Sequence, residues 1–241
     1  MKGGACMRLS KVLGVRKLTM KTTVVTIGLV ISGFLSLAVG IFTFYGQNSG
    51  NFVMSIDPAS YTRGIILCDD TEFLAPTPRL LANPVSDVKD ITYSWLKLDE
   101  VKSTDGDFID QDYKYVAYTF YLKNVGSETV DINYSIVITD LYLEVDNAIR
   151  VLIIEDDTIE KMYQKADTVE YEYPEDIPPG IDFVSEDVIC NTQVTNLRPN
   201  TYRKFSVLIW LEGEDPDCVD GILGGMIKLQ MRFVIAGTEE E

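Results

Sequence analysis

The chain has 241 residues, with 21 Lys and Arg against 37 Asp and Glu, no histidine, and a formal net charge of −16 at pH 7. A surface that acidic repels phosphate backbones and speaks against nucleic-acid binding. Without histidine there is no Ser-His or Cys-His nucleophile pair and no H-E-x-x-H zinc site.

Charge is divided sharply along the chain. Lys2, Arg8, Lys11, Arg16, Lys17 and Lys21 all precede the first acid, Asp57. Thr22 to Tyr45 (TTVVTIGLVISGFLSLAVGIFTFY) then runs 24 residues without a charge. As a helix rising about 1.5 Å per residue it is long enough for a hydrocarbon core of ~30 Å. The cations before it place residues 1–21 in the cytoplasm and the rest outside, in the cell membrane as a single-pass protein. Phe42, Phe44 and Tyr45 suit an interfacial belt. A cleaved signal is the alternative, since Ala38-Val39-Gly40 offers small residues for a peptidase and cleavage near Gly40 would release a secreted protein. Residues 46–51 (GQNSGN) read as a flexible linker, and residues 52–241 as an extracellular domain.

In that domain, Asn51 to Cys68 predicts two short strands and Ile91 to Leu98 another. Tyr113 to Lys123 alternates, with Val116, Tyr118, Phe120 and Leu122 on one face. Thr129 to Thr139 alternates as well, and Asn124-Val125-Gly126-Ser127 between them has turn chemistry, so the pair predicts a β-hairpin. Ile149 to Ile154 is a compact apolar strand, and Ile159 to Gln164 is a strand or a helical turn. Tyr171 to Phe183 carries Pro174, Pro178 and Pro179 among acids and reads as a loop. Asp187 to Val194 resumes extended structure. Arg203 to Leu211 is apolar on both faces, as a central strand is, and Met226 to Ile235 closes the fold with Ile227, Leu229, Met231, Phe233 and Ile235 on one side. About eight strands and no convincing amphipathic helix predict an all-β domain, an immunoglobulin-like antiparallel β-sandwich behind one N-terminal transmembrane or signal helix.

Two acidic runs are the candidate chemistry. Asp105, Asp107, Asp110 and Asp112 have the oxygen density that calcium favours, without EF-hand spacing. Glu212, Glu214, Asp215 and Asp217, with Asp220 behind them, form a second run beside Cys218, and Asp69, Asp70 and Glu72 a weaker third. Each also reads simply as a solvated loop. Paired carboxylates could serve a glycosidase, but acids this abundant pair by accident, and no residue is assigned a catalytic role. Tyr113, Tyr115, Tyr118 and Tyr121 could stack on a glycan, or fill a half-buried sheet face. Trp95 and Trp210 read as core or sheet-face residues. Cys190 and Cys218 end predicted strands. A bridge between them would close a loop worth ~3 kcal/mol, and three unpaired thiols with Cys68 as a buried filler is the other reading.

The arrangement of leader, apolar segment, Y-x-F-x-L-x-N-x-G strand (Tyr118, Phe120, Leu122, Asn124, Gly126), L-x-P turn (Leu197, Pro199) and long closing strand resembles the camelysin/TasA class of Gram-positive envelope and biofilm-matrix proteins. It is also similar to membrane-linked Firmicutes surface proteins ending in W-L-E-G-x-D-P-x-C and a Gly-Gly strand, here Trp210, Leu211, Glu212, Gly213, Asp215, Pro216, Cys218, Gly224 and Gly225. The resemblance implies a jelly-roll or immunoglobulin-like sandwich at the cell surface that assembles with its own copies by strand donation, or with another surface protein. A protease activity goes with the camelysin name, but no protease motif is present and no catalytic residue carries over. The expectation is a non-enzymatic surface protein for envelope structure, adhesion or matrix assembly. A calcium- or glycan-binding module, and a carboxylate-dependent hydrolase, are the alternatives.

Overall fold

The computed structural model describes residues 30–36 and 51–237. The chain divides into two compact units, residues 1–48 and 49–241. In the first, residues 30–36 are helical and expose Val30, Ile31, Phe34 and Leu35. No helix among the described residues is long and apolar enough to cross a membrane. The remainder of the predicted segment 22–45, the leader before it and residues 46–50 of the linker lie outside the described residues.

The second unit is mostly β. Its strands are β1 (Phe52–Ile56), β2 (Ile65–Cys68), β3 (Arg79–Leu81), β4 (Gly106–Asp107), β5 (Val116–Asn124) and β6 (Val130–Tyr142). There follow β7 (Ile149–Glu155), β8 (Ile159–Gln164), β9 (Ile181–Asp182), β10 (Val188–Leu197), β11 (Tyr202–Leu211) and β12 (Met226–Ile235). They form two sheets packed as a sandwich, one in the order β10-β6-β12-β1-β3 and the other β2-β5-β11-β7-β8-β9, with β4 on β5. Both sheets are mixed, which corrects the all-antiparallel expectation: β1 runs parallel to β12, and β8 to β9. The link from β1 to β2 changes sheets. It is a short helix, Pro58–Thr62, started by Pro58 and capped by Asp57, which accepts from the amides of Ala59 and Ser60.

The predicted hairpin of β5 and β6 does not form. β5 pairs with β2, β4 and β11, whereas β6 pairs with β10 and β12 in the other sheet. The physical reason is visible in their burial. β5 is covered on both faces, while β6 alternates buried and open positions over its first half. Asn124 ties the arch between them, donating to the carbonyls of Glu128 (2.7 Å) and Leu197 (2.9 Å) and accepting from the Gly126 amide (2.9 Å). Gly126 must be glycine here, because a Cβ would sit 2.4 Å from the Arg63 carbonyl oxygen.

β11 lies centrally between β5 and β7, as its two apolar faces require. β8 is a strand, decided by its hairpin with β7, whose turn holds Asp156 and Asp157 at φ 49° and 61°. Between the sheets, Phe120, Tyr134, Phe205 and Phe233 pack ring against ring, with centroids 5.4 to 5.9 Å apart. Fully burying each such side chain contributes roughly 1.5–3 kcal/mol.

The outer face of the second sheet is apolar too. Ala117, Leu152, Ile154, Met162, Leu208 and Trp210 are buried there under Ile91, Leu96, Val101 and Ile177. The predicted strand at Ile91–Leu98 is therefore replaced by a 3-10 turn at Tyr93–Trp95 and a helix at Leu98–Ser103. A compact cover is what that face needs, and Thr119 donates from its hydroxyl to the Val101 carbonyl to pin it.

Candidate functional site

The first acidic run is distributed among internal partners. Asp105 accepts from the Tyr121 hydroxyl at 2.6 Å, and Asp107 from the Asn83 amide at 2.8 Å. Burial pushes the Asp107 carboxyl up. Asp110 is almost wholly enclosed. It accepts from Lys97 Nζ (3.0 Å), the amides of Asp112 and Tyr113, and the Tyr115 hydroxyl (3.1 Å). Burial opposes its charge, but these donors outweigh burial and hold its carboxyl below the usual range. Lys97 also reaches Asp112 at 2.9 Å. The four carboxylates therefore do not converge on one point, and an ammonium already sits between Asp110 and Asp112.

The second run lies where β11 ends. Glu212 is fully buried and accepts from Trp210 Nε1 (2.9 Å) and the Tyr93 amide (3.2 Å) through one oxygen, and from the Glu214 amide (3.2 Å) through the other. Glu214 itself is exposed. Asp215 is buried against Arg150, whose Nη1 stands 2.6 Å from Oδ2. That distance makes an ion pair, and Arg150 Nε has no hydrogen-bond partner. Burial pushes the Asp215 carboxyl up, against the pull of Arg150. Arg150 also donates to the Tyr173 hydroxyl at 2.9 Å and lies over the Tyr173 ring. Tyr173 in turn donates to Asp167 at 2.7 Å. Asp217 accepts from the Thr168 amide and hydroxyl.

The ligand oxygens of Asp167, Asp215 and Asp217 all lie within 4.8 Å of one another. Neither Asp167 nor Arg150 stood out in the sequence. Asp167 is about fifty residues away along the chain, but Arg150 had a signal, as a lone cation inside the otherwise apolar run Ile149 to Ile154 (IRVLII). Removing one partner of such a buried pair leaves an uncompensated charge, a loss of about 3–5 kcal/mol.

The proposed Cys190–Cys218 bridge is not made. Cys190 is buried in the core between the sheets, and Cys218 is half-buried beside Asp90, Glu212 and Asp215. Both are free thiols, as is buried Cys68, whose sulfur lies 3.0 Å from Asp70 Oδ2. Cys190 lies within β10, whereas Cys218 sits in the loop between β11 and β12. Burial raises the Cys190 thiol to about 11.

Among the aromatics, Tyr118 and Tyr121 are buried on β5, Tyr115 is buried just ahead of it, and Trp210 is buried on the outer face of β11. Trp95 departs from expectation. It is 48% exposed and stacks on Tyr113, with centroids 5.1 Å apart, because it sits on the covering turn rather than on a strand.

No protein-family model and no curated protein matches the chain. Among solved structures, a β-glucosidase from Kluyveromyces marxianus in complex with glucose aligns over 78% of this chain and 18% of its own, at 14% identity and a TM-score of 0.27. A likeness that low carries no argument about fold or activity.

Proposed function

We propose that the chain is a non-enzymatic cell-surface protein, anchored through residues 22–45 with its sandwich outside the membrane, serving envelope structure, adhesion or extracellular-matrix assembly. On this reading the two mixed sheets are an elaborated immunoglobulin-like or jelly-roll sandwich. The observation that carries the reading is the fate of the acids: Asp110, Glu212 and Asp215 are enclosed and answered by Lys97, Trp210 and Arg150. Side chains enclosed and paired in this way hold one loop arrangement in place. The uncharged run and the six cations before it support the placement. Partners are then other surface proteins or further copies of the chain.

The test is protease treatment of intact cells, followed by mass spectrometry of what remains. Loss of the sandwich with retention of an N-terminal membrane fragment is the expected result. A full-length chain recovered from the soluble cytosol ends the proposal. The second reading, a calcium-binding module, is favoured by the close approach of Asp167, Asp215 and Asp217. Arg150 already supplies a positive charge there, so millimolar calcium is expected to leave the melting temperature unchanged. A rise of several degrees would select the second reading.

A further inference from the structure

One end of the sandwich carries apolar side chains that the domain does not cover. Leu141 and Tyr142 end β6 and Leu143 follows at φ 59°, while Tyr142 pairs with Met226 and Leu141 with Ile227 across the sheet. Leu223 lies just ahead of Met226. Tyr142 is 59% exposed and Leu223 72%, with Leu141, Leu143 and Met226 near 40%. The loops carrying them are drawn together at Gly225, where a Cβ would meet the Val145 side chain at 2.9 Å and the Tyr142 carbonyl at 3.1 Å.

The same end is where the chain enters the sandwich. The Leu229 amide donates to the Asn51 carbonyl at 2.8 Å, and Asn51 Nδ2 to the Ile227 carbonyl at 3.4 Å. The uncharged run ends at Tyr45. Six residue steps separate Tyr45 from Asn51, a reach of at most about 22 Å.

We propose that Tyr142, Leu143, Leu223 and Met226 form a second membrane contact, inserting into the headgroup–acyl boundary of the bilayer that holds residues 22–45. This rests on the anchored reading above. The short tether selects a bilayer as occupant over a second copy of the chain, and leucine, methionine and tyrosine are residues that partition into that boundary. The surrounding charges set the lipid preference. Asp140 is paired with Lys228 at 3.5 Å, but Glu144 and Asp220 are exposed, so zwitterionic headgroups are favoured over anionic ones.

The experiment uses the full chain reconstituted into phosphatidylcholine vesicles containing lipid brominated near the top of the acyl chain. A Leu223→Trp variant is expected to show at least twofold stronger quenching than the parent, whose Trp95 and Trp210 give the background. Met226→Trp is a second probe with the same expectation. Val125→Trp, at the opposite end, should add no quenching, and phosphatidylglycerol vesicles should weaken the effect at Leu223. The inference is overturned if Leu223→Trp and Met226→Trp are quenched no more than Val125→Trp while the chain resists carbonate extraction. Extraction by carbonate overturns the anchored reading itself, and the second contact with it.

Discussion

The two faces of the sheet containing β5, β11 and β7 are filled in different ways. Its inner face meets the other sheet mainly through aromatic and aliphatic side chains, with Phe120 and Phe205 stacked 5.4 Å apart, and the Tyr134 hydroxyl crosses it to donate to Glu155 at 2.6 Å. Its outer face is covered by short helices and loops, and at one margin it encloses the Arg150–Asp215 pair and the Glu212 carboxylate. Apolar packing tolerates many arrangements of similar volume, whereas enclosed charges accept few. The inner face is thus where stability resides, and the outer margin is where one loop arrangement is selected over others.

The comparison is broken most severely from the inside. Phe205→Ala should cost about 3–5 kcal/mol in urea unfolding, since the site is walled by Phe120, Tyr134 and Phe233 and cannot collapse. Arg150→Met should cost a similar ~3–5 kcal/mol by stranding Asp215, and the Arg150→Met, Asp215→Leu pair should recover a large part. Failure of the double variant to recover anything would show that the ion pair matters for more than charge balance. Glu212→Gln keeps shape and removes charge from three hydrogen bonds, so a loss near ~1.5–3 kcal/mol is expected.

A thiol distinguishes the interior in another way. Cys190 is raised to about 11 in the folded chain from an ordinary value of 9.0. The unfolded thiol ionises first, so this contribution is fully present below pH 9 and is lost as pH rises toward 11. Urea unfolding across that window should lose up to about 1.4 kcal/mol per pH unit from this group. Cys190→Ala should flatten the slope, and an unchanged slope would assign it to other groups. The smallest effect belongs to the surface. Arg63→Ala removes an exposed pair with Glu128 and should change stability by less than about 1 kcal/mol, vanishing in high salt.

Strands whose partner layer lies on one or both sides announced it through their alternation or its absence. β12 and β11 are legible in this way. Pairing was less legible. Asn124 to Ser127 has the same local chemistry whether the chain returns in one sheet or arches to the other, and only the buried second face of β5 distinguishes them. The segment Ile91–Leu98 has strand-like residues, but the helix after it supplies Val101 to a face that no sheet covers. Of the acids, the runs near 105–112 and 212–217 were visible as runs. Their partners Lys97, Arg150 and Asp167 are brought in by the fold from distant positions.

The parallel pairing of β1 with β12 has a mechanical consequence. Residue 51 leaves at one end of the sandwich, while β12 finishes at the other, and the two strands lie side by side over five paired positions. Tension applied between residues 51 and 235 pulls the two strands past each other lengthwise, so the bonds joining them share the load at once instead of opening one after another. A domain strung that way yields late and abruptly under stretch, a useful property for any protein held at one end and loaded at the other.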